Sequence, residues 1–492
     1  MSMDADFLKN FPKECDNAIS SKSIEEIDRL IKKLKSEELK LERSPLLTHV
    51  WYCISNLYSA RAVIYNEDAK LWRNEKFPTN AIQSLNYIRR GFNEYIQNGN
   101  SNMCFEIQTN LANLYHGFCR DIEANYFWTF NYDNAIYSDS IFVAPFNKAK
   151  NLMVLKDYLN NKQESGYYAF EAYKLIKPLS ENKNNIFHEG IKSEITNTAW
   201  IKELLNWGKN IEETIIPFDE MAKQIKYKTK EEKLYRIWSA ENNLFLNPLN
   251  DITKELISAQ DTLEFPAYIV KTGEGPFLSV AFSDIKNRFC KARYIAYCGL
   301  FKQYPKWLEE GLFLTSCLDY NDFSTNIEMV KTAYKLCFGI LDSIILLLKK
   351  YFEIECKSKT EFKPTWIQTN CQNIHNPFID GLFWLSCDLT DVSNIKNWQI
   401  PNPDANILRK LRNNLEHNWV RVTDCKNSIW FGDHDYAFVL SKEQLETATL
   451  EVFRYTRTAI MHLILAITYN EKQKIKNLQD EIIPSIKVPY YS

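Results

Sequence analysis

Near its C-terminal end the chain reads LRKLRNNLEHNWVRV, Leu408 to Val422, and sets Arg412, Asn413 and His417 close together in a helical pattern. These side-chain types suit a metal-free cut in RNA. Such a cut needs a group to take the proton from a ribose 2′-OH as it attacks the adjacent phosphate. It also needs a proton donor for the leaving oxygen and a fixed cation for the charge that builds on the phosphoryl oxygens. Histidine titrates near neutral pH and can take or give the proton. The arginine fork binds phosphate through two parallel hydrogen bonds and stays charged throughout. Asn413 carries an amide that can orient the imidazole or bind a phosphoryl oxygen. The products would be a 2′,3′-cyclic phosphate and a free 5′-hydroxyl.

The same stretch dictates its own placement. Leu408, Leu411, Leu415 and Trp419 recur at spacings of three and four, which predicts a helix with one buried stripe. Asn413 and His417 are four apart and share a face. Arg412 and His417 are five apart, about 140° around the helix, so they do not stack directly. Either the long arginine curls toward the histidine, or the histidine of one subunit meets the arginine of another across a two-fold axis. A plainer reading stands beside both. Arg412 and Glu416 form an i,i+4 pair, a surface salt bridge worth a few tenths of a kcal/mol, and His417 beside Trp419 is then an interfacial packing residue.

The rest of the chain must hold this helix. Ser23 and Glu26 form a capping box, followed by Ile24, Ile27, Leu30, Ile31 and Leu34 at helical spacing. Helical segments then follow in pairs up to ESGYYAFEAYKLIKPL. NLANLYHGFCRDIEANYFW, Asn110 to Trp128, resembles a tetratricopeptide-type repeat, with Leu111, Ala112, Tyr115 and Ala124 near the expected large and small positions. No strict repeat register holds, so an irregular helical bundle is the alternative to an α-solenoid. Between about Ala222 and Glu274 the character changes: an Asn-Pro-Leu-Asn turn appears, and EFPAYIV reads as a short strand or extended connector. Long helices return from Phe282. NIEMVKTAYKLCFGILDSIILLLKKYFEI is apolar nearly all round and belongs at the centre of a bundle. SIWFGDHDYAFVL predicts a hairpin turning at Gly432-Asp433, and the capping box Ser441-x-x-Gln444 announces the last helix. The expected class is all-α. The expected divisions are a repeat region at 1–221, a linker or opening segment at 222–274, a helical bundle at 275–475 and a loose tail at 476–492.

RNNLEH, Arg412 to His417, resembles the R-N-x-x-x-H signature of HEPN domains, helical bundles that are often metal-independent ribonucleases. LYRIWSAENNLFLNPLNDI, Leu234 to Ile252, resembles the segment opening a HEPN subfamily that carries tetratricopeptide-like repeats in front. The resemblance implies Arg412 and His417 as the active pair, with Asn413 as the polar residue after the arginine. It also implies a homodimer through the C-terminal bundle, whose two motifs face one cleft, and a role in toxin–antitoxin, phage-defence or stress systems. The repeats would then hold a protein partner or trigger. Arg409, Lys410 and Arg421 are candidates to guide RNA or are simply a solvated helix face, and Arg454 and Arg457 on the last helix are candidates to line the same cleft. The rival from another class is a non-catalytic helical-repeat scaffold whose bundle only dimerises or senses a nucleotide.

Composition sets outer bounds. With 60 basic against 62 acidic side chains the net charge is -2, so a nucleic-acid site must be a local patch. The 12 cysteines include no CxxC and suggest a reducing, cytoplasmic compartment without a thiolate metal site. The N-terminus is too polar for a signal peptide, and FGILDSIILLL, Phe338 to Leu348, is too short to span a bilayer and contains Asp342. His462 in an apolar run reads as a core histidine, His116 as packing within a repeat, and His434 in GDHD as part of a tight turn. No Gly-rich phosphate loop, GxSxG or catalytic-cysteine signature occurs. The chain is expected to need neither metal nor cofactor and to avoid membranes.

Overall fold

The computed structural model describes residues 5–41, 44, 46–74, 76–98, 104–129, 140–181, 189–270, 275–314, 321–389, 403–423, 432–433 and 437–477. Among them the N-terminal helices are α1 (Ala5–Ser20), α2 (Ile24–Glu38), α3 (Leu46–Ile64), α4 (Thr79–Asn98), α5 (Cys104–Gly117), α6 (Asp121–Phe127), α7 (Ser140–Leu155), α8 (Lys162–Glu181), α9 (Glu189–Asn197) and α10 (Ala199–Ile211). Short helices α11 (Phe218–Lys223) and α12 (Lys230–Glu241) lead to α13 (Phe277–Phe301), α14 (Thr325–Tyr351), α15 (Pro364–Cys371), α16 (Pro377–Leu389) and α17 (Pro403–His417). Strands β1 (Val420–Thr423), β2 (Gly432–Asp433) and β3 (Phe438–Ser441) precede the closing helix α18 (Lys442–Asn477). The all-α expectation holds, with one small sheet added.

Local sequence explains the starts of α2 and α18. Ile27, Leu30, Ile31 and Leu34 are the buried face of α2, and Ser23 Oγ accepts from Glu26 N. That box is only half-formed, because the Glu26 carboxylate turns to Arg29 at 2.8 Å. The second box is complete: Gln444 N donates to Ser441 Oγ at 3.0 Å and Ser441 N donates to Gln444 Oε1 at 2.9 Å. Removing the hydroxyl with Ser441→Ala should cost about 1 kcal/mol of stability, read as a lower denaturation midpoint with unchanged slope.

The N-terminal helices pack mainly on their sequence neighbours: α3 on α2 and α4, α4 on α5, α5 on α6, and α7 on α8. Buried small residues such as Ala112 and Ala124 let adjacent helices close up. Helices α1 to α3 keep a core of their own around Phe11, Leu30, Val50 and Leu57. From Trp72 onward the apolar core runs without a break into the C-terminal bundle as far as Ile467.

Helix α16 is the seam between the two halves. An added Cβ at Gly381 would lie 2.4 Å from the Cys119 carbonyl oxygen, so glycine is what lets α16 approach the α5–α6 turn. Trp72 Nε1 and Arg73 Nε both donate to Asp380 Oδ1 at 2.9 Å. About two turns further on, Asp388 receives Arg89 in a two-pronged contact at 3.0 and 2.6 Å. It also accepts from Arg120 Nη1. Arg120 in turn grips Glu123 through Nε at 2.6 Å. Two guanidiniums and two carboxylates thus balance their charges in a buried cluster that ties α4 and α6 to α16.

In the C-terminal bundle α14 packs on α13, α17 and α18, and its Phe338–Leu348 run is largely buried, as its all-round apolarity predicts. His462 on α18 is wholly buried, and burial drives its imidazole down to about 4, as befits a core histidine. EFPAYIV forms the extended connector and not a strand. The expected hairpin strands are present as the antiparallel pair β2 and β3, but Gly432 and Asp433, the expected turn, lie within β2 opposite Val439 and Phe438. His434 lies outside the described residues. Strand β1, which the sequence reading missed, runs parallel to β3 in the order β1-β3-β2. Among the described residues no helix is long and apolar enough to cross a membrane, and no group of three or more potential ligands could hold a metal ion.

A cleft between α8, the 262–264 connector and α18 contains Glu164, whose carboxylate accepts from Thr262 Oγ1 at 3.0 Å. Burial pushes the Glu164 carboxyl up to about 7 from 4.5. A carboxyl raised in this way contributes stability that is present below 4.5 and lost as pH rises through about 7. Glu164→Gln should therefore flatten the pH dependence of the melting temperature across that window and stabilise the chain above it.

Candidate active site

Helix α17 is fixed to the bundle by apolar contact and one backbone clamp. Leu408 and Leu411 are buried, and the Tyr334 hydroxyl on α14 donates to the Leu408 carbonyl at 2.7 Å. The helix ends at His417, with Asn418 N closing the last turn on the Asn414 carbonyl at 3.0 Å. The chain then passes directly into β1. The expected apolar stripe is correct for Leu408 and Leu411 and weakens at half-buried Leu415. It fails at Trp419, which is 70% exposed. The helical spacing no longer applies there because the helix has already stopped.

Arg412 leans back onto α14. Its guanidinium lies over the Phe338 ring at 4.8 Å, and the side chain is only 21% exposed. Its Nε is buried without a hydrogen-bond partner. One turn beyond Phe338, burial raises the Asp342 carboxyl while the Arg412 charge pulls it the other way. Asp342 Oδ1 accepts from Phe362 N at 2.8 Å. The arginine is therefore seated on an aromatic face beside a carboxylate on the neighbouring helix.

His417 is the opposite case, with a side chain 74% exposed at the helix end. Glu416 lies between the two. Its Oε1 is 3.8 Å from Arg412 Nε, and its Oε2 is 3.8 Å from His417 Nε2. Both distances are too long for hydrogen bonds but lie within ion-pair range. A single carboxylate thus neighbours both the guanidinium and the imidazole within one chain, one through each oxygen. Asn413 is exposed one residue beyond Arg412.

The surroundings are cationic. Residues 403–423 carry Arg409, Lys410, Arg412 and Arg421 against Asp404 and Glu416, in a chain whose overall charge is -2. Arg409, Lys410 and Arg421 are half-buried along the flanks of α17 and β1. From α14, Lys331 Nζ donates to the Val420 carbonyl at 3.2 Å and is balanced by Glu328 at 2.8 Å, so it fastens β1 to α14 and adds no net charge.

Arg457 and Arg454 require a correction. Arg457 is buried, with Nε on the Phe245 carbonyl at 2.6 Å, Nη1 on Asp251 at 2.6 Å and Nη2 on the Asn247 carbonyl at 3.0 Å. Arg454 is drawn to the Asn242 carbonyl and side chain at 3.2 and 3.1 Å. Both fasten α18 to the 242–251 segment and do not line a cleft with α17. The carbonyl-rich turn and Asp251 in NNLFLNPLND were the available signal, for a buried arginine seeks such acceptors. The sequence reading also missed Phe338 and Tyr334 as the seat of α17, since both look like ordinary core aromatics.

Residues 269–470 match the family described as LA2681-like HEPN, so a HEPN domain is present over that span. The match includes α17 and covers none of the residues before 269. No curated protein and no solved structure matches the chain.

Proposed function

We propose that this chain is a metal-independent endoribonuclease whose HEPN domain cuts RNA by attack of the ribose 2′-OH on the neighbouring phosphate. HEPN domains generally act in ribonuclease chemistry. The observation that carries the reading for this chain is Glu416 lying 3.8 Å from both Arg412 and His417, neither of them hydrogen-bonded to it. The exposed imidazole of His417 is free to meet a ribose hydroxyl or a leaving oxygen and exchanges the proton. Arg412, half-buried over Phe338, supplies a fixed positive charge at low rotational cost, and its fork receives the phosphoryl oxygens. Asn413 holds the phosphate or the imidazole. Arg409, Lys410 and Arg421 draw the strand in.

In this reading two copies join through their C-terminal bundles, so that two α17 ends face a common cleft. The N-terminal helices hold a protein partner or trigger that restrains the nuclease, in the manner of a toxin or phage-defence effector working in the cytoplasm. The rival, a non-catalytic scaffold, takes the Arg412–Glu416 ion pair at 3.8 Å as a structural surface contact and His417 as an exposed helix end.

The test is incubation of purified chain with RNA in EDTA. Cleavage should occur, should be lost with Arg412→Ala, and should return only in part with Arg412→Lys, which keeps the charge without the fork. No cleavage by the unaltered chain under any condition, or equal cleavage by all three forms, would leave the scaffold reading standing.

A further inference from the structure

Two residues past His417, Trp419 presents its indole to solvent with 70% of its surface exposed, beside a site otherwise built of polar groups. Its backbone is held firmly: the Trp419 carbonyl accepts from Phe438 N at 2.9 Å, and the next residue begins β1. The Trp419 backbone therefore stands at a set place, its Cα at most about 7 Å from that of His417. At the other end of β1, Asp322 N donates to the Val422 carbonyl at 2.7 Å, and Asn321 pairs with Thr423. This pairing brings exposed Phe323 to the same strand. Arg421 follows Trp419 by two residues, on β1 itself, and is half-buried.

An exposed aromatic ring beside a helix and strand that carry Arg409, Lys410, Arg412 and Arg421 against Asp404 and Glu416 is the composition of a surface that holds unpaired bases. Cations meet the phosphates, while the ring offers a flat face on which any base can stack. A protein partner would favour a wider apolar patch without this excess of positive charge. We infer that the Trp419 indole is a base-stacking platform beside His417, and that the strand it accepts is single-stranded RNA. A base inside a duplex is already stacked on both sides and has no face left for the indole. This inference gives the substrate class of the site and rests on the ribonuclease reading for what happens next, but stacking is measurable without cleavage.

The experiment uses the full chain carrying His417→Ala, so that bound RNA stays whole, and a fluorescein-labelled single-stranded oligoribonucleotide read by anisotropy. Adding Trp419→Ala should raise Kd by roughly 10- to 100-fold, whereas Trp419→Phe should retain most of the affinity. Affinity for a duplex of the same length should not change. Melting temperature and solution mass should also stay constant, because the ring is exposed. Equal Kd for the Ala and parent forms would overturn the proposal. So would a drop in solution mass with Trp419→Ala, which would make the indole a contact between copies. Trp419-dependent binding by a chain that never cuts RNA would uphold the platform and sink only the proposed reaction.

Discussion

Replacing His417 with alanine should slow RNA cleavage by about 10²- to 10⁴-fold, the usual contribution of a positioned proton-transfer group. The substitution should leave the fold untouched. The imidazole is 74% exposed and sits at the last position of α17, where it supports no packing. Surface changes of this kind move stability by no more than about 0.5 kcal/mol. Melting temperature and cleavage rate measured on the same preparation therefore separate chemistry from folding. The effect should be confined to turnover: RNA affinity, which depends on the cations and the indole, should change little. A parallel loss of stability would place His417 in the architecture instead of the reaction.

Replacing Asp388 with asparagine should have the opposite profile, a large loss of stability. The carboxylate is buried and is shared by Arg89 and Arg120. Removing its charge leaves two buried guanidiniums with Glu123 as their only acidic partner in the cluster. Breaking one side of a buried pair in this way typically costs about 3–5 kcal/mol. Unfolding by denaturant should register a shift of that size, and cleavage should fall with the folded fraction because α16 packs on α17. The pH dependence has a definite sign. Burial alone would raise the Asp388 carboxyl, but the two guanidiniums outweigh it and hold it below its ordinary 3.8. A depressed carboxyl contributes stability that is present above 3.8 and lost as pH falls through its folded value. Asp388→Asn should remove that acid-side slope.

Features set by neighbours in sequence were readable from the sequence. The Ser441–Gln444 box, the α2 face and the central α14 all depend on residues a few positions apart. So does the placing of Leu408 and Leu411 on one side of α17. The errors arose where a distant partner decides. Arg457 meets Phe245 across 212 positions, and Asp388 meets Arg89 across 299. An arginine on a helix looks the same whether it faces RNA or a buried carbonyl far away in the chain. Trp419 continues the leucine spacing, yet α17 has ended at His417, and the Trp419 carbonyl accepts from Phe438 N just before β1 begins. Gly432-Asp433 carries a turn signal, but the register with β3 absorbs both residues into a strand. For the candidate site, residue types and helix were legible. The seat of Arg412 on Phe338 was not, because Phe338 lies 74 positions away on a helix that reads only as core.

The central claim is that the ribose 2′-OH is the attacking group and that no metal takes part. It is tested most directly with an oligoribonucleotide carrying a single 2′-deoxyribose at the mapped cut position, incubated with the chain in EDTA. The account predicts that this one bond survives while the all-ribose control is cut, leaving a 2′,3′-cyclic phosphate and a 5′-hydroxyl. Cutting at the deoxy position at the control rate, or ends bearing a 3′-hydroxyl and a 5′-phosphate, would contradict it.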